Sequence, residues 1–491
     1  MSKIRFCVSI LMSIPLLCVY CRHASAAEMA MGFRVGEVTD HSAIVWTRIT
    51  RDAERNWDGY RDPSKREPKQ DAYVPSNIQV EDREGATPGA VGQVRVVFYP
   101  ESRKPPSETM TPWVTVNADH DFSHQFHIKY LQPGTRYVLR VEARDSADAK
   151  ISATPSGSFR TPHRADTWQD VRFSVVTGQS YWDLDDRQGY HIYPAMQKLD
   201  LDFLVPTGDT VYLDSESPRA RTVELARYHW QRMYSLPRHI EFHRNVPGYW
   251  EVDDHDSWAN DGWPTKHAPW MNPLTFAQGF DVYREQVPIG DSTYRTVRWG
   301  KGLQVWMVEG RLYRSPNDMP DGPGKTIWGQ EQMKWLKQSI LESDADFRVL
   351  ISPTPIVGPD RTAGKNDNHA NDAFAYEGNQ FRSWTKEQNL KNFYSCCGDR
   401  HWQYMSIDPG SGLREFSCGP ASDVHAGGNP VQPAWQPFLR VKGGFLSVSV
   451  SKIDGVPTIA FRHRDVQGKI VHQFTANATG DQVGQGDPAV N

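Results

Sequence analysis

The chain has 491 residues, 38% hydrophobic and 23% charged, with a net charge of −4. That length is too great for one core and predicts two or three domains. The near-neutral balance excludes a nucleic-acid binder built on a basic face and leaves a soluble globular protein.

In chain order, Lys3 and Arg5 precede the apolar run FCVSILMSIPLLCVYC, and Ala24-Ser25-Ala26 follow. This is the layout of a secretory signal peptide over residues 1–26, and the run is too short to anchor the chain across a bilayer. Export follows, to the periplasm, the cell envelope or the medium. Residues 30–162 alternate with period two in SAIVWTRI, GQVRVVFYP, HQFHIKYL and RYVLRVEARD. Such spacing predicts an immunoglobulin/fibronectin-like β-sandwich, with Trp46 as its core tryptophan and Tyr137 near a strand start. Residues 51–90 interrupt the sandwich and are expected to be an exposed excursion.

From residue 168 to 480 strand and helix signals alternate. VRFSVVTG, LDFLVPTGD, VPGYWEVDDHD, GLQVWMVEG, FRVLISPTP and KNFYSCCGDRH read as strands with polar ends. Residues 189–198, 218–236 and QEQMKWLKQSILES read as helices, and FLSVSVSKIDGVPTIAFRHRD as a closing hairpin before a flexible tail over 481–491. The sum is an α/β layered domain. Outside the signal, Cys396, Cys397 and Cys418 form either one disulfide or a set of small buried residues on neighbouring strands.

Three charged clusters begin where apolar runs stop: Asp209, Tyr212 and Asp214; Asp253, Asp254, His255 and Asp256; Asp399 and His401. Carboxylate, phenol and imidazole donors at strand ends suit hard or borderline cations. An extended Asp-x-His segment would aim both side chains to one side. Lys365, Asn366, Asp367 and His369 lie on a loop that faces either substrate or solvent. Asp423 and His425 follow the last strand of the site and are expected to stand behind the ligands.

DLDFLVPTGDTVY, WEVDDHD, VEGRLYRSP with its following helix, and CCGDRHWQY resemble, in order, the motifs of PhoD-like phosphatases, a branch of the calcineurin-like metallophosphoesterases. The resemblance implies a four-layer metallophosphoesterase β-sandwich flanked by helices, preceded by the fibronectin-like domain. It implies two or more metal ions, iron and calcium, held by Asp209, Tyr212, Asp254, Asp399, His401 and, more loosely, Asn260. His255 and Arg400 would act on the phosphoryl or leaving group while a metal-bound hydroxide attacks phosphorus. One departure stands out: in VVTGQSYWD, Gly178 takes the position of the family's metal-binding Cys, with Gln179 or Asp183 as substitutes.

The implied protein is a monomeric, exported hydrolase of phosphate monoesters, diesters or both, without a nucleic-acid-binding patch. The alternative is an inactive cell-envelope binding protein on the same scaffold. No G-x-S-x-G elbow supports a serine hydrolase.

Overall fold

The structure, a computed structural model, describes residues 27–71, 74–103, 107–361 and 367–479. The signal-peptide segment, the tail from 480, and Lys365 and Asn366 lie outside the described residues.

The first unit holds strands β1 (Phe33–Gly36), β2 (Ser42–Arg48), β3 (Gly92–Pro100), β4 (Thr109–Met110), β5 (Val114–Val116), β6 (Ser123–Lys129), β7 (Arg136–Arg144) and β8 (Ser156–Arg160). They form a three-stranded sheet, β1-β2-β6, and a second sheet ordered β4-β3-β7-β8 with β5 also on β3. Alternate residues of both sheets, among them Val45, Val96, Phe126 and Val141, share one core. Tyr137 is buried in it, and its hydroxyl accepts a hydrogen bond from Gln132 N at 2.8 Å.

Trp46 differs from expectation. It points away from this core and joins the apolar cluster of the second unit, where its indole nitrogen donates to Glu285 O at 2.7 Å. The Arg34 guanidinium stacks on it at 3.6 Å and on Tyr234 at 4.1 Å. Neighbouring strand residues face opposite sides, so Val45 fills the sandwich while Trp46 fills the joint. The sheets also continue across it. Gly248 N donates to Val35 O at 2.9 Å, and the 247–249 segment pairs with Leu204 on its other side.

The second unit contains β9 (Val171–Val176), β10 (Phe203–Pro206), β11 (Arg295–Trp299), β12 (Leu303–Met307), β13 (Phe347–Ser352), β14 (Phe393–Cys397), β15 (Gln403–Ile407), β16 (Arg414–Cys418), β17 (Phe438–Arg440), β18 (Phe445–Ile453), β19 (Val456–Arg464) and β20 (Ile470–Asn477). One sheet runs β10-β9-β18-β19-β20, the other β11-β12-β13-β14-β16-β15-β17. Val175, Val205, Leu446 and Phe461 of the first meet Val305, Val349, Cys396 and Phe416 of the second in a dry core. Each such side chain contributes about 1.5–3 kcal/mol by leaving water.

Helices cover the outer faces. On one side lie α1 (Ile192–Gln197), α2 (Val223–Tyr234), α3 (Pro237–His243), the short α4 (Asp254–Ser257) and α5 (Phe276–Gln286). On the other lie α6 (Gly329–Glu342) and α7 (Ala375–Glu387). The order is helix, sheet, sheet, helix. Cys396, Cys397 and Cys418 are free and buried on neighbouring strands β14 and β16.

The segment 51–90 is largely exposed, as expected, but it is anchored to the second unit. Tyr228 Oη donates to Glu84 O at 2.6 Å, and Arg219 donates to Glu67 O at 2.8 Å and Pro68 O at 3.1 Å. Ser217 N donates to Lys65 O at 2.8 Å. The insertion is a strap of the first unit drawn across the second.

Candidate metal centre

Parallel strands β9, β10 and β14 end side by side in the two sheets, and each chain turns at once through a left-handed residue: Gly178 (φ 60°), Gly208 and Asp209 (φ 94° and 52°), and Asp399 (φ 60°). Asp tolerates this conformation better than most residues, because its short polar side chain bonds locally. The expected extended Asp399-x-His401 segment is therefore a tight turn. Gly208 has a further reason to lack a side chain: a β-carbon there would lie 2.6 Å from Asp253 N.

VDDHD is likewise not the end of a strand with four free ligands. Asp253 caps α4, and Asp256 closes the capping box by accepting from Asp253 N at 3.1 Å. Asp256 also accepts from Thr210 N at 2.8 Å and Val211 N at 3.1 Å, tying this loop to the Asp209 loop. Asp253 pairs with buried Arg311 at 2.6 Å. Asp254 is buried and accepts from His255 N at 2.8 Å and from Asp261 N, while His255 lines the cleft.

Donor atoms of Asp209, Asp254 and His255 lie within 4.8 Å of one another, as do those of Asp209, Asp253 and Asp399. Asp209 belongs to both groups and so stands within 4.8 Å of Asp254 on one side and of Asp399 on the other. Tyr212 Oη stands 3.2 Å from Asp209 Oδ2, 3.4 Å from His401 Nε2 and 2.7 Å from His425 Nε2. A third acidic group joins Asp254 to Asp261 and Asp367.

Around these donors, His255 Nδ1 contacts Asp214 Oδ1 at 2.5 Å, and Asp214 Oδ2 is fixed by Asn260 N at 3.0 Å. Asn260 is exposed on the rim and uses its backbone rather than its side chain in that bond. Arg400 does not reach the cleft: it is fully buried and clamped between Asp399 and Asp360. Arg361 lines the cleft in its stead. Asp367 and His369 do not lie on a solvated loop. Both are buried, and His369 pairs with Glu377 of α7 at 2.8 Å. Asp423 accepts from Gly443 N at 2.9 Å.

The cleft encloses about 660 Å³, and strap residues Lys65, Arg66, Glu67 and Lys69 form one wall. Nothing in their sequence pattern announces a site. Their only signal is an excess of charge in a Pro-rich insertion. The two substitutes considered for the missing Cys are engaged elsewhere. Gln179 Oε1 takes a hydrogen bond from Tyr193 Oη at 2.5 Å, and Asp183 pairs with Lys65 and His425.

The donor set fits cations. Asp209 Oδ1 is buried with no hydrogen-bond partner. Burial and the charges of Asp254, Asp253 and Asp256 push the Asp209 carboxyl well above its ordinary range, against the pull of His255. A bound cation removes that penalty. Burial and the neighbouring His425 and Arg400 keep His401 neutral, the form that coordinates. His255 behaves oppositely: burial opposes its charge, but Asp214, Asp254 and Asp209 outweigh it and hold the imidazolium.

A sequence model of the PhoD-like phosphatase family matches residues 173–469. Alkaline phosphatase D of Bacillus subtilis (strain 168) is 22% identical over 346 residues, 60% of this chain and 56% of the relative, so the chain spans about half that relative's length. A structure of PhoD superposes with a TM-score of 0.71 at 17% identity, over 94% of this chain and 93% of the other. Purple acid phosphatase PPD1 from yellow lupin (Lupinus luteus) seeds gives 0.62 at 11% identity, over 91% and 74%. At such identities the likeness is one of fold.

Proposed function

Because the chain belongs to the PhoD-like phosphatase family, we propose that it hydrolyses phosphoric esters, monoesters or diesters, with metal ions held by Asp209, Tyr212, Asp254, Asp399 and His401. The single observation that carries this reading is the buried Asp209 carboxylate, within 4.8 Å of both Asp254 and Asp399 and with one oxygen unpartnered. Without a cation such a cluster of buried carboxylates is a net cost. When bound, two cations supply charge to the phosphoryl oxygens and acidify a water molecule.

The chain's own residues do the rest. Asp214 fixes the His255 ring through Nδ1 and keeps it protonated, so Nε2 is the atom that gives a proton to the departing oxygen. Lys65, Arg66, Lys69 and Arg361 give the cleft a positive wall that draws in an anionic ester. Arg400 holds Asp399 in place from behind. With Gly178 in the Cys position, the donors are oxygen and nitrogen, a set that suits ferric iron beside Tyr212 and calcium among the carboxylates. Retention of all these donors speaks against a merely binding scaffold.

The test is metal content of chelator-free protein beside its Asp209→Asn variant, each assayed on p-nitrophenyl phosphate and bis-p-nitrophenyl phosphate. Near-stoichiometric metal with turnover, both lost in the variant, supports the reading. Metal-free protein that stays inert after supplementation with iron, calcium, zinc or manganese overturns it. The signal-like segment before residue 27 supports export; mass spectrometry of the mature N-terminus checks cleavage near Ala26. Among the described residues no helix is long and apolar enough to cross a membrane.

A further inference from the structure

The space beside Gly178 is occupied. A β-carbon built there would lie 3.1 Å from Pro420 Cβ and 3.3 Å from His425 Cδ2. The imidazole of residue 425 thus stands next to the place where a side chain at 178 would enter the site. We infer that His425 supplies, through Nε2, the donor that Gly178 lacks, joining Tyr212 and His401 in an oxygen-and-nitrogen site for ferric iron or a similar transition cation. This rests on the metal-dependent reading above.

Three observations converge on it. The first is spacing. Ligands at about 2.0–2.1 Å from one ion stand about 2.9 Å apart when adjacent in an octahedron and about 3.4 Å apart in a tetrahedron. Tyr212 Oη lies 2.7 Å from His425 Nε2 and 3.4 Å from His401 Nε2, both near those values.

The second is orientation. His425 Nδ1 donates to Asp183 Oδ2 at 2.7 Å, which leaves the Nε2 lone pair turned to Tyr212. Metal-binding histidines are commonly held by a carboxylate in this way. Asp183 is itself paired with Lys65 of the strap, so the positioning chain runs from the first unit to the metal site.

The third is burial. The His425 side chain is only 9% exposed, and its ring lies 4.2 Å from that of His401 at a tilt of 47°. It is no surface histidine that happens to lie near a cleft.

The test compares the full-length mature protein with His425→Ala, His425→Gln and Asp183→Asn, each reconstituted with ferric iron. Two quantities are read: iron retained against a graded chelator, and the visible charge-transfer band of tyrosinate on iron. Both His425 variants are expected to hold iron more than about 100-fold less tightly, with the band shifted or lost. Asp183→Asn, a positioning change, should cost about 10–100-fold and keep the band. Circular dichroism of the chelated proteins separates ligand loss from misfolding, and the near-isosteric Gln variant keeps the test open if Ala fails to fold. In His425→Gly, added imidazole should restore the band. If the His425 variants hold iron as tightly as the parent with an unshifted band, His425 is only a hydrogen-bond partner of Tyr212 and the inference fails alone. If the parent protein binds no iron, zinc or other metal, the inference falls together with the metal-dependent reading.

Discussion

Gly208 is where the two ligand loops touch, and Gly208→Ala measures how much that contact matters. Its φ of 94° is strained for any residue with a β-carbon, at a cost of about 1–2 kcal/mol. In addition, the new methyl would sit 2.6 Å from Asp253 N and 3.0 Å from Asp253 Cα. Ordinary contact needs roughly 3.5 Å, so the Asp209 and Asp253 loops must part by close to 1 Å, and overpacking of this kind costs about 1–3 kcal/mol. The expected loss is therefore about 3–4 kcal/mol. Gly412 is the control: its φ is 80°, with open space where the new methyl would point, so Gly412→Ala carries the backbone cost alone. Urea unfolding in the presence of chelator should separate the two variants by about 2 kcal/mol. Metal affinity should also fall at least tenfold in Gly208→Ala, because Asp209 and Asp254 ride on the loops that separate, and stay at the parent value in Gly412→Ala. Equal stability losses, with unchanged metal affinity, would refute the close-approach reasoning.

Asp214→Asn should lower kcat about 100-fold on alkyl phosphate esters and far less on p-nitrophenyl phosphate, whose leaving group needs no proton; an equal loss on both would remove His255 as the proton donor. Arg219→Ala removes the donor to Glu67 O and Pro68 O, so limited trypsin digestion should cut at Lys65, Arg66 or Lys69 several times faster, with KM raised more than kcat is lowered. Burial pushes the Asp202 carboxyl up to about 6, against the hydrogen bond from Arg172 N. Because its folded value exceeds the unfolded one, the group takes up a proton on folding. Its contribution is full below about pH 4 and lost as pH rises through about 6. Asp202→Asn should remove roughly 3 kcal/mol of that slope between pH 4 and 8, read from unfolding at each pH.

Strands β9, β10, β12, β13 and β14 were legible because each is a short, largely apolar run bounded by polar or turn-forming residues. Helix α2 falls inside the 218–236 segment read as a helix, and the structure starts it at Thr222, whose hydroxyl accepts from Leu225 N at 3.2 Å. The joint between units was not legible, because alternation tells which strand residues share a face but not what covers that face; Trp46 is the instance. Charge density alone also misled. In VDDHD it could not separate Asp253, Asp254 and Asp256, which are buried and accept from backbone amides or pair with Arg311, from His255, which lines the cleft. Arg400 adjoins Asp399 in sequence and reads as catalytic, but a strand-end turn buries it behind its neighbour. Lys65 and His425 are far apart in the chain, and only the fold brings them both to Asp183.

The pairing of Gly248 with β1 has a bearing on how the polypeptide comes to be assembled. One edge of β1 is closed early by β2, but the other waits for a segment made much later, which then zips β1 to β10. Until Gly248 has emerged, a nascent first unit carries a bare strand edge, the kind of surface that captures other chains. A shortened gene product ending before that point would keep the edge permanently and should aggregate. A product lacking the first unit would leave the 247–249 segment bare instead. Neither half is a convenient piece to express by itself, and attempts to dissect this protein are better made by point substitution than by truncation.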